Sequence, residues 1–166
     1  DKVVEKVLLE SGQPYEIIDF FPSGSDERQF CSPAFDMPVG SLVRTLYGKF
    51  PQYHTSADNL DFVKSQYLQD SFSKYLKTIF ILENNVTYLN SNPKCEPQLG
   101  RRGFYRTIGG QKDDGLNETA VFWILNLSDG NNSLLDISNK SGMKFDLIKN
   151  LSDELLLINL LEEKNL

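Results

Sequence analysis

Residues 133–159 read SLLDISNKSGMKFDLIKNLSDELLLIN. Ser133 and Asp136 stand three apart, the spacing at which a hydroxyl caps a helix N-terminus and a carboxylate reaches back to the capping residue. Gly142 is suited to the left-handed turn that ends a helix. Beyond it Phe145, Ile148, Leu151, Leu155 and Ile158 recur every three or four residues, which predicts a helix over about Lys144–Ile158 with those side chains inward. Asn159 tolerates the left-handed turn that closes it. Just upstream, Asn117 is placed to cap a segment in which Ala120, Val121, Ile124 and Leu125 share a face, and SDGNN ends it. Three helices, with a tight glycine turn between the second and third, make a helix-turn-helix.

Working outward, residues 92–115 are rich in Pro, Gly and charge and show no period, so they read as a linker or extended arm. Ahead of them the pattern alternates. Residues 1–11 predict a helix with Val3, Val4, Val7 and Leu8 on one face, stopped at Gly12. YEIIDFF (15–21) predicts a short buried strand. Asp26–Ala34 predicts a short helix capped by Ser25 or Asp26. Val39–Thr45 predicts a second strand. A long helix is expected from about Ala57 to Glu83, with Phe72, Tyr75 and Phe80 in the core. VTYLN (86–90) supplies a third strand. Alternating helices and strands are the α/β pattern with a parallel sheet. Three strands leave an edge exposed, and the chain opens on Asp rather than Met, so residues 1–91 read as the carboxy-terminal part of a larger α/β domain, followed by the 92–115 arm and a small all-α helix-turn-helix domain over 116–166.

The bulk numbers narrow the function. The 166 residues carry a net charge of −6, and the sequence pI is about 4.8. Nucleic-acid affinity rests on Lys and Arg neutralising phosphates. The third helix of the tail has Lys144 and Lys149 but also Asp146, Asp153 and Glu154, so neither nucleic acid nor an anionic membrane is an expected partner. Arg101, Arg102 and Arg106 read as solubilising charges of the arm. No apolar run reaches the roughly 20 residues that span a bilayer. The two cysteines, Cys31 and Cys95, lack metal spacing, and a cytoplasmic protein with free thiols is expected.

One histidine occurs, His54, within FPQYHTSADN (50–59). Loops after the carboxyl ends of parallel strands are where α/β folds place their sites. Asp58 follows by four residues, placed to orient the imidazole as carboxylates do behind metal-bound histidines. Tyr53 offers a phenol to a developing oxyanion. Ser25, Asp26, Glu27 and Arg28 cluster after the other strand, at the same expected end of the sheet. A catalytic zinc needs about three protein ligands, so this chain alone supplies at most part of a metal site.

GSDERQFCSPAFDMPVGSLVRT (24–45) followed by YHTSADNLDFV (53–63) resembles the carboxy-terminal part of the zinc-dependent aminopeptidase clan. The nearer likeness is to a bacterial aminopeptidase-like family that joins a catalytic domain to a terminal winged-helix-type domain; EPQLGRRGFYRT (96–107) and the helix-turn-helix tail are similar to it too. The resemblance implies that His54 is the last metal-binding histidine, a zinc ligand. It implies that Tyr53 lines the substrate pocket. Asp26 matches the acid of a Ser-Asp motif near the metal centre. Glu27 stands where the clan often has His. Asp26, Glu27 and Tyr53 are thus the expected catalytic group, Ser25 and Arg28 the expected substrate contacts, and a peptide or aminoacyl compound the expected substrate. The clan uses a metal-activated water against a peptide carbonyl; its other ligands and its general base lie upstream in the family and have no counterpart here. The upstream part of the same protein is therefore an expected partner, and a homo-oligomer is compatible with the reading. The competing expectation is a non-catalytic interaction module, in which the helix-turn-helix docks on a protein partner beside a degenerate α/β scaffold.

Overall fold

The structure, a computed structural model, describes residues 1–22, 26–95, 97–101 and 116–164. These divide into two compact units: residues 1–12 with 74–166, and residues 13–73.

The first unit holds the core. Helix α1 spans Lys2–Glu10, and helix α3, Ser65–Asn84, delivers its second half here. Strand β1 is Thr87–Asn90, helix α4 Leu116–Leu127, strand β2 Asp129–Ser133, helix α5 Leu134–Ser141, helix α6 Phe145–Leu157 and strand β3 Leu161–Glu163. Phe145, Ile148, Leu151 and Leu155 of α6 are buried against Ala120, Val121, Ile124 and Leu125 of α4 and Leu134, Leu135 and Ile137 of α5, and Ile158 packs partly against them. The expected faces of these three helices are the observed ones. So is the start of α5: Ser133 Oγ accepts from Asp136 N at 3.2 Å, and Asp136 Oδ2 accepts from Ser133 N at 3.1 Å. Gly142 closes it at φ 71°, and Asn159 follows α6 at φ 56°.

The tail is not all-α. DGNNS, expected only to end a helix, forms β2, and the sheet order is β2-β1-β3, antiparallel throughout. Thr87 pairs with Ser133, and Tyr88, Leu89 and Asn90 pair with Glu163, Glu162 and Leu161. The strand expected to close a parallel α/β sheet thus becomes the centre of the helix-turn-helix domain's own sheet. Gly130 permits the crossing: its φ is 79°, and a Cβ there would stand 2.8 Å from Leu89 Cδ2.

In the second unit the two upstream strands do not form. Residues 15–21 and 39–45 are irregular, because among the described residues no strand lies beside them to take up their N–H and C=O groups. The short helix is α2, Asp26–Phe30. The long helix starts at Ser65, not near Ala57. Ahead of it polar side chains bond the backbone in place of helix: Thr55 Oγ1 accepts from Ala57 N at 3.2 Å and Asn59 Oδ1 from Asp61 N at 2.8 Å. Phe72, Tyr75 and Phe80, expected in the core, are exposed; the one buried residue of α3 is Ile81.

Candidate functional site

His54 sits in a run of turns between α2 and α3. Its φ is 57°, a left-handed conformation uncommon for residues other than glycine. The turn is pinned by Thr55, whose Oγ1 donates to Gln52 O at 2.9 Å. The exposed imidazole stacks on the half-buried Tyr53 ring, centroids 4.0 Å apart and planes 19° from parallel. Tyr53 in turn meets Tyr47 at 6.0 Å and Phe50 at 5.5 Å, and Phe50 stacks on Phe62 at 5.8 Å. A small aromatic platform thus presents one imidazole to solvent, where it can accept a proton or donate a lone pair to a cation.

The other expected site residues are placed as follows. Asp26 and Glu27 open α2; Asp26 is exposed, and the Glu27 carboxylate accepts from the Ser41 hydroxyl. Arg28 is exposed. Asp58 is exposed, its backbone N–H donating to Thr55 O at 3.1 Å, and no hydrogen bond ties its carboxylate to His54 among the described residues. Ser25 lies outside the described residues. Among the described residues no three His, Cys, Asp or Glu side chains come together to hold a metal ion. One imidazole without neighbouring donors does not make a zinc site, so the chain does not assemble one from these residues alone.

The first unit carries a second polar constellation, which the sequence reading passed over. Lys6 is 2 % exposed. Its Nζ donates to Met143 O at 2.8 Å and Ser138 O at 3.2 Å, and lies 3.6 Å from Glu10 Oε1. Glu10 Oε1 accepts from Phe145 N at 2.8 Å, at the start of α6. Lys77 Nζ lies 2.9 Å from Glu10 Oε2 and 3.0 Å from Asp146 Oδ2. Burial pulls the Lys6 ammonium below its usual pKa against the opposing charge of Glu10. Burial pulls Lys77 down as well, but its hydrogen bonds to Glu10 and Asp146 outweigh that and leave it raised. A signal existed: Glu10 continues the Val3–Val7 stripe at helical spacing, and Lys6 borders it. Beside this cluster an open, mixed-charge cleft of about 450 Å³ runs between α1 and α5, lined in part by Lys2, Glu5, Asp136 and Lys140.

No helix among the described residues is long and apolar enough to cross a membrane.

The chain is similar to known proteins over nearly its whole length. Residues 86–163 match a family model described as winged helix-turn-helix, and the chain has a winged helix domain there. A relative from Clostridium acetobutylicum is 59% identical over 162 residues, which are 98% of this chain and 37% of that protein. It is provisionally named a polysaccharide biosynthesis protein with an aminopeptidase-like domain. A crystal structure of a protein from the same organism, provisionally described as a peptidase, superposes with a TM-score of 0.88 at 54% identity, covering 99% of this chain and 36% of that one. The chain therefore spans little more than a third of the length of these relatives. Residues 1–85 of the 166 match the model described as Domain of unknown function (DUF4910), and the chain belongs to that family.

Proposed function

We propose that this chain is the part of a zinc-dependent, aminopeptidase-like hydrolase that contributes one metal-binding imidazole, His54, and one wall of the substrate pocket. The observation that carries the reading is the pair of long relatives named for peptidase-like domains, aligned over nearly all of this chain at 54% and 59% identity. The solvent-facing His54 on its Tyr53 platform suits a donor that meets further donors from elsewhere in a larger protein. The extensive apolar exposure of residues 13–73, including Ile17, Ile18, Phe20 and Phe21, suits a segment that rests against the remainder of that protein. Asp26, Glu27 and Arg28 would lie at the rim of the same pocket, with Asp58 behind the imidazole, and the substrate would be a peptide or aminoacyl compound.

The test uses the longest natural polypeptide that carries this chain. Bound zinc is measured by elemental analysis, and hydrolysis is followed on aminoacyl amides, for the wild type and His54→Ala. Loss of zinc together with hydrolysis is the expected result; zinc content and rate both unchanged would remove His54 from the site.

A second reading, a non-catalytic protein-interaction module, is favoured by the charge of α6. Its acids, Asp146, Asp153 and Glu154, outnumber its one base, Lys149, which is itself paired with Asp153. A folded, metal-free natural protein with no hydrolytic activity would favour this reading.

A further inference from the structure

We propose that the winged helix domain of this chain is a receptor for the chain's own residues: Glu10 of α1 occupies the N-terminus of α6, the position at which helix-turn-helix proteins meet nucleic acid, so the domain works as an intramolecular clamp and not as a reader of DNA. The inference stands independently of the peptidase reading.

The second helix of a helix-turn-helix reads base edges with its N-terminal residues, and helix N-termini bind phosphate through unpaired N–H groups and the helix dipole. In α6 the capping residue, Lys144, makes no side-chain cap. The Phe145 N–H is taken instead by Glu10 Oε1 at 2.8 Å, from 135 residues upstream. A carboxylate therefore sits where a phosphate oxygen would. It is held by Lys77, which also binds Asp146 on the first turn of α6. Lys6 fixes the turn itself through the carbonyls of Ser138 and Met143.

Two other helix ends also take a bond from outside the helix. At the start of α5 the Leu135 N–H donates to Asn85 Oδ1 at 2.9 Å, and at the end of α4 the Leu125 carbonyl accepts from Asn90 Nδ2 at 2.9 Å. Residues 6, 10 and 85 belong to the segment matched by the first family model, yet they bond backbone groups at helix ends of the second. For a phosphate to reach α6, Glu10 must leave, which would strand Lys6 in a buried site without its counter-charge. DNA would then meet a helix whose own charges are mainly acidic.

The experiment uses the full chain with Glu10→Ala and Glu10→Gln. Thermal midpoints are measured in chloride and in sodium formate or phosphate at matched ionic strength. Binding to a fluorescent DNA duplex is followed by anisotropy at about 0.15 M salt, a range in which nucleic-acid readers still bind. Glu10→Ala is expected to lower the midpoint by roughly 6 °C or more. Formate or phosphate should recover part of that loss beyond the general salt shift shared with the wild type, because only the variant has a vacant anion position. Glu10→Gln, which keeps an acceptor for Phe145 and loses the charge, should fall between the two, and it carries the comparison if Glu10→Ala does not fold. The wild type should not bind the duplex. Micromolar or tighter duplex binding by the wild type, a Glu10→Ala midpoint equal to the wild type's, a Glu10→Gln midpoint equal to the wild type's, or equal anion response in wild type and Glu10→Ala would each overturn the proposal.

Discussion

The unit of residues 1–12 and 74–166 and the unit of residues 13–73 have similar shares of apolar residues and end in opposite states. Every buried apolar side chain among the described residues, from Val7 to Leu161, lies in the first; none lies in the second. In the first, α5 and α6 have closed ends and each strand has a neighbour. In the second, order comes from turns, from an aromatic group around Tyr53, and from Arg44, which lies 4.7 Å over the Tyr67 ring and pairs with Asp70. The contrast teaches that apolar content does not itself make a core. Apolar residues must recur on one face of an element that another element covers, and only the first unit meets that condition among the residues described.

The contrast can be broken first by truncation. Phe145 is fully buried and meets the Phe80 ring edge-on at 6.1 Å. Phe145→Ala is expected to cost about 3–5 kcal/mol in chemical denaturation followed by circular dichroism. Phe21→Ala, at a side chain 73 % exposed in the second unit, should move the same curve by less than about 0.5 kcal/mol. Comparable losses at both positions would show that the second unit has a core of its own.

Glycine substitutions sharpen it. Gly130 and Gly48 both have positive φ, 79° and 74°, but only Gly130 has a neighbour in the way of a Cβ. Gly130→Ala should cost roughly 2–3 kcal/mol, from left-handed strain and overpacking against Leu89. Gly48→Ala should cost about 1 kcal/mol, from strain alone. Next comes Ser133→Ala, which removes the hydroxyl that caps α5 and is expected to cost about 1 kcal/mol by the same measurement.

Two pH limbs follow in the first unit. The hydrogen bond from the Ser133 hydroxyl, helped by the Ser133 N–H and the charges of Lys2 and Lys140, holds the Asp136 carboxyl below its ordinary 3.8. A depressed carboxylate contributes stability that is present above 3.8 and lost as the pH falls below it. Lys77 is raised above 10.5. Its contribution is present below 10.5 and lost as the pH climbs past that value. Denaturation midpoints across both ranges should show Ser133→Ala flattening the acid limb and Lys77→Met the alkaline one. The smallest expected effect is at His54, where His54→Ala should leave the stability of this chain within about 0.5 kcal/mol, because the ring is exposed; a larger loss would make it a structural residue.

Legibility in the sequence followed the range of the interaction. The capping box at Ser133, the turn at Gly142 and the inward line Phe145–Ile148–Leu151–Leu155 are signals spread over a few residues, and the structure reproduces each. Residues 15–21 have strand-forming side chains and make no strand, while DGNNS has poor ones and makes β2, because β1 offers it an edge. Likewise the Thr55 and Asn59 side chains bond the backbone of local turns, so α3 begins later than the expected start near Ala57. The isolated His54 was conspicuous as a residue. Its stacking on Tyr53 was legible as adjacency only, and of the Lys6–Glu10–Lys77–Asp146 cluster only the place of Lys6 and Glu10 along the α1 stripe was legible, because its members stand up to 140 residues apart.

Sequence by itself determined where helices α4, α5 and α6 lie, which faces they bury and how α5 and α6 stop, since a helix closes its hydrogen bonds within one turn and the turns at Gly142 and Asn159 are near neighbours. Tertiary structure alone decided that residues 15–21 and 39–45 form no strand while residues 129–133 do, that β1 stands at the centre of the downstream sheet, and that a lysine and a glutamate of α1 are buried at the ends of α5 and α6. A strand needs a partner, and a buried charge a counter-charge, and both were supplied from far along the chain.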